Sequence, residues 1–80
     1  MNVFKVPDSL ADKYHGAGYA LAATLAGQLV DIVYLSDVLP DYEGSPDGFA
    51  DDRLAPTVRR LQALGQVHAG MLSGWVFTEL

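Results

Sequence analysis

The 80-residue chain has no cysteine and only five lysines and arginines. Without thiols it can form neither disulfides nor thiolate zinc sites, and the absence fits a reducing compartment. Between Lys13 and Arg53 there is no lysine or arginine at all. Gripping a phosphate backbone takes a row of cations, and here only Arg53, Arg59 and Arg60 cluster, so direct nucleic-acid binding is not expected. Unbroken apolar runs are missing too. The uncharged stretch from Tyr14 to Val30 is 17 residues long but holds three glycines, His15, Thr24 and Gln28 and stops at Asp31. A membrane span takes about 17–25 predominantly apolar residues, so this stretch is read as a buried helix and no membrane association is expected. The start, MNVFKVPDSL, places one lysine and then an aspartate before any apolar run, unlike a secretory signal, and the expected location is cytoplasmic.

Catalytic signatures are equally scarce. HGAGYA has two glycines but lacks the lysine and the preceding strand of a phosphate loop. Ser9, Ser36, Ser45 and Ser73 sit in cap or turn contexts without a glycine elbow, so no nucleophile is indicated. His15 and His68 are far apart, and a lone histidine on an apolar face is ordinarily a packed residue with one hydrogen bond. No enzyme activity, metal or cofactor is expected. An enzyme or metal-binding protein using His15, His68 and carboxylates ranks last among the readings.

What the chain does have is apolar material, half of all residues, and acid, ten carboxylates for a net charge of −5. Its length makes residues 1–80 one domain. Such a domain buries only about 60% of the surface its unfolded chain exposes, which leaves a thin stability margin. Asp31, Asp37, Asp41, Glu43, Asp47, Asp51 and Asp52 all fall in the cation-free span.

The expected fold class is α+β, with two main helices and a small antiparallel sheet formed by the termini, residues 29–36 being a further strand candidate. An all-α bundle is the alternative. MNVFKV has strand composition and Pro7 stops it. SLAD, Ser9 to Asp12, is a capping-box pattern that starts a helix at Leu10. Leu10, Tyr14, Ala17, Leu21 and Leu25 then share one helical face, and Gly16, Ala20, Ala23 and Gly27 form a stripe of small residues. QLVDIVYLSDVL, residues 28–39, reads as strand or helix. Gly27 as a helix-terminating residue, and the alternation of Val30, Ile32 and Tyr34 with Asp31 and Val33, favour strand, with Pro40 as its end. Asp51 or Asp52 caps a second helix with Pro56 in its first turn. Leu54, Val58, Leu61, Leu64, His68, Met71 and Trp75 repeat at helical spacing along it. WVFTEL can return as a strand beside MNVFKV.

The segment DYEGSPDGFADD, Asp41 to Asp52, is the feature most suggestive of function. It fails as an EF-hand: counted from Asp41, Pro46 stands where glycine is required, and counted from Glu43, Leu54 stands where the bidentate acid belongs. Gly44 to Gly48 are turn formers. Tyr42 and Phe49 are out of place in a polar loop unless it folds back or meets a partner. The leading expectation is therefore a small acidic non-enzymatic binding module or inhibitor, docking through Asp37, Asp41, Tyr42, Glu43, Asp47, Phe49, Asp51 and Asp52 on a protein with a basic surface. Spaced carboxylates can occupy sites that normally take phosphates, so a nucleic-acid-handling partner fits, as for accessory proteins directed by phages at host defence. The second expectation is a homodimer built on the small-residue stripe or the Trp75 face.

Overall fold

The computed structural model describes residues 2–3, 18–71 and 76–79. Along the chain come β1 (Asn2–Val3), β2 (Tyr19–Leu25), β3 (Gln28–Tyr34), a single helical turn α1 (Leu35–Val38), two 3-10 turns (Pro46–Ala50 and Asp52–Leu54), the main helix α2 (Ala55–Gln62), β4 (Gln66–Met71) and β5 (Val76–Glu79). The strands form one antiparallel sheet in the order β1-β5-β4-β2-β3. The fold is α+β, not all-α.

β2 lies between β3 and β4, and this position explains a correction. The helix expected from Leu10 to Leu25 is a strand from Tyr19 onward. Its proposed start at Ser9 lies outside the described residues. Tyr19, Leu21 and Ala23 face one side and Ala20 and Ala22 the other, and all four residues from Ala20 to Ala23 are buried. A strand buried on both faces shows no apolar–polar alternation, and alanine's helix preference is overridden by pairing on both edges. The small-residue stripe dissolves with the helix, since Ala20 and Ala23 point to opposite faces.

Gly27 ends no helix either. With Ala26 it forms the two-residue hairpin between β2 and β3, and both have positive φ, 53° and 78°, the sign pattern of a type I′ turn. β3 matches the strand reading of residues 28–34. Its register with β2 slips by one residue between Ala23–Asp31 and Thr24–Leu29, leaving Val30 as a bulge on this edge strand. The strand stops at Tyr34, before Pro40, and α1 closes with the Leu39 amide donating to the Leu35 carbonyl.

The cap expected at Asp51 or Asp52 falls one turn early: the Asp51 carboxylate accepts from the Arg53 amide at 2.9 Å and caps the 3-10 turn, while α2 itself follows Leu54 with no side-chain cap. Pro56 occupies the first turn. The helical spacing expected to run on to Trp75 breaks at Gln62. The Ala63 and Leu64 amides close on Arg59 and Leu61, and the Gly65 amide also donates to Leu61. Gly65 then passes so close to β2 that a Cβ would stand 2.1 Å from the Thr24 carbonyl oxygen. His68 and Met71 therefore belong to β4, where Val67 and Ala69 face the helix layer. The expected pairing of the termini is present, with Asn2 opposite Phe77 and Val3 opposite Val76.

One core fills the space between sheet and helices: Leu21, Ala23 and Val67 from the sheet meet Leu35, Leu39, Leu54 and Leu61. Full burial of a leucine side chain is worth about 1.5–3 kcal/mol each. That is how eight helical residues are held on the sheet, with Arg59, Arg60 and Gln62 left exposed. Among the described residues no helix is long and apolar enough to cross a membrane.

Candidate functional site

The acidic segment runs from α1 to the head of α2 and wraps one end of the helix layer. Its backbone is not a featureless loop. Ser45 caps the Pro46–Ala50 turn, its Oγ accepting from the Asp47 amide at 3.3 Å, with Pro46 supplying a preset φ. The segment folds back on the core. Tyr42 and Phe49 are both half-buried against it, the Phe49 ring meeting Tyr19 edge-on at 5.7 Å and 87°, and the Tyr42 hydroxyl donating to the Ser45 carbonyl at 2.7 Å. Burial, and next to it the neighbouring Tyr19, raise the Tyr42 phenol above its ordinary pKa.

The seven carboxylates of the cation-free span divide into two groups. Three are paired with arginine. Arg53 holds Asp41 at 2.8 Å and Asp51 at 2.8 Å, and Arg60 holds Asp31 at 3.1 Å. Hydrogen bonds from the Arg53 side chain, then from its backbone amide, pull the Asp51 pKa down to about 2, and the same contacts raise that of Arg53. The other four, Asp37, Glu43, Asp47 and Asp52, are exposed, and among the described residues they have no ion pair. Of the eight residues expected to meet a partner, then, four are unpaired surface acids, two are clasped by Arg53 and two are rings turned inward.

Beside this surface lies a cleft of about 390 Å³, lined by Tyr19, Tyr34, Tyr42, Ser36, Gly44 and Met71 among others. Only Tyr42 of these was marked by its sequence context. The rest come from separate elements: the register sets Tyr19 opposite Met71, while Tyr34 pairs with Ala20 at the end of β3 just before Ser36, so nothing local in the chain announces the cleft.

His68 is buried on the opposite face of the sheet, where its Nε2 and the Thr24 hydroxyl share a hydrogen bond of 2.8 Å. Among the described residues no three histidine, aspartate or glutamate side chains gather to hold a metal ion. His15 lies outside the described residues. The chain matches no protein-family model and no curated protein.

Proposed function

We propose that this protein is a non-enzymatic binding module that docks its Asp37–Asp52 surface on a basic patch of another protein, in the manner of an inhibitor. The observation that supports the reading is the charge arrangement: Asp37, Glu43, Asp47 and Asp52 stand exposed without a basic partner among the described residues, on a segment ordered by two inward rings and one arginine clasp. Such a surface steers association with a cationic partner, and its spaced carboxylates suit a site that otherwise takes phosphates. Tyr42 and Phe49 act here mainly as the footing that holds the acids outward. Neutralising Asp37, Glu43, Asp47 and Asp52 as Asn or Gln is expected to slow association and flatten its salt dependence, with the melting temperature unchanged. A partner captured from lysate whose association rate ignores all four changes overturns the proposal.

A second reading, self-association, rests on a separate observation. Leu25, Val30 and Leu64 are 60%, 43% and 42% exposed, and Val30 is the bulge of β3, which among the described residues is an edge strand. Size-exclusion chromatography with light scattering decides it: a dimer that Val30→Lys converts to monomer supports this reading, and a monomer at all concentrations ends it.

A further inference from the structure

The docking proposal leaves the cleft beside the acids unused. Ligand sites commonly measure about 300–1,000 Å³, so 390 Å³ is room for one side chain or a small ligand rather than an extended peptide. Among the described residues three of those lining it are tyrosines and none is basic, and Ser36 offers a hydroxyl. The described charged residues next in sequence to the lining are all acidic. Glu43 stands exposed between the lining residues Tyr42 and Gly44, and Asp37, also exposed, follows Ser36. Aromatic rings attract cations through their quadrupole, and a carboxylate within reach adds a charge-assisted hydrogen bond.

We infer that the cleft receives an arginine side chain presented by the basic protein partner. Arginine fits better than lysine because its guanidinium is flat, weakly hydrated and able to stack on an aromatic ring while its N–H groups reach a carboxylate, whereas an ammonium gives up more hydration on entry. The inference deepens the docking proposal, on which it rests for the source of the arginine. It would make the cleft the anchor of the interface and the four unpaired acids its steering rim, consistent with the usual division between a desolvated centre and a polar periphery.

The full chain, labelled with nitrogen-15, is titrated by NMR with N-acetyl-arginine amide and, in parallel, with N-acetyl-citrulline amide, which has nearly the same shape and no charge. The arginine compound is expected to shift the amide signals of Ser36, Gly44 and Met71 saturably and to bind roughly tenfold more tightly than the citrulline compound. Glu43→Gln, a surface change that leaves the core alone, should weaken the arginine compound and not the citrulline one. Tyr34→Phe, which retains the ring, should bind as the parent does, and Tyr34→Leu should not. Equal binding of the two compounds, or shifts confined to Asp47 and Asp52, refutes the assignment. If the cleft stays silent while neutralising the acids still slows association with a captured partner, the arginine pocket falls and the docking surface stands.

Discussion

Replacing Gly48 by alanine probes the junction on which the acidic segment rests. A Cβ at this position stands 2.6 Å from Tyr42 Cε2 and 2.9 Å from both Tyr42 Cδ2 and Leu35 Cδ2, inside the 3.0 Å that real Cβ atoms essentially always keep. Leu35 is fully buried and has nowhere to retreat, and the Tyr42 ring is tethered through its hydroxyl to Ser45. The ring and the Pro46–Ala50 turn must therefore part. Overpacking of this kind costs about 1–3 kcal/mol, partly offset by the roughly 0.4–1 kcal/mol that alanine gains by restricting the unfolded chain. The net loss should be about 1–2 kcal/mol, which in a domain of this size lowers Tm by roughly 5–15 °C. Because the nearest contact and two of the three are with the Tyr42 ring, Tyr42→Leu should relieve most of the clash and leave the Leu35 contact. In a double-mutant cycle followed by thermal and urea denaturation, the two changes should couple by about 1 kcal/mol, within the range for contacting residues. A Gly48→Ala protein melting within about 2 °C of the parent, or the same cost in both backgrounds, refutes the argument.

Other positions give sharper signs. Gly65→Ala meets backbone rather than a side chain, at Thr24, and should cost about 2–3 kcal/mol by urea denaturation; a normal midpoint means the turn after α2 does not run against β2. Ala26→Gly should stabilise by about 0.5–1 kcal/mol, because an L-residue at a left-handed φ of 53° costs about 1–2 kcal/mol and glycine's extra unfolded-state freedom cancels only part of that; a lower denaturation midpoint contradicts the turn. Asp51 has its folded pKa depressed to about 2 against an unfolded value of about 3.9, so its stabilising contribution is complete above pH 4 and is lost as pH falls toward 2. Carbon-detected NMR should place its carboxyl titration near 2, and a value near 3.9 means that the Arg53 clasp is open in solution.

How much of this was legible in the chain depends on whether local chemistry or long-range pairing decides an element. The start of α2 was readable, because Asp51, Pro56 and the Leu54, Val58, Leu61 spacing are local signals and nothing distant opposes them. β3 was readable as well, from its β-branched residues. β2 was not, since Ala20 to Ala23 are compatible with either state and only the partners on both sides select strand. The run through His68 and Met71 misled for a related reason: their three-residue separation fits a helix, yet in β4 it puts them on opposite faces, and the decisive event is the close passage of Gly65 by Thr24, 41 positions away, rather than a local pattern. The acidic surface was visible as composition. Its division into clasped and free carboxylates was not, because Arg60 reaches Asp31 across 29 positions.

The Arg53 clasp has a consequence for selectivity. One guanidinium bridges Asp41 and Asp51, so the neck of the segment already contains a cation that cannot diffuse away. Tethered groups act at effective concentrations in the millimolar range, so a basic group on another molecule present at only micromolar concentration competes poorly for those two carboxylates. The clasp leaves Asp41 and Asp51 less available than Asp37, Glu43, Asp47 and Asp52, which among the described residues have no ion pair. The protein carries its own counter-ion, and by occupying part of its acidic surface from within, it confines what an outside cation can reach.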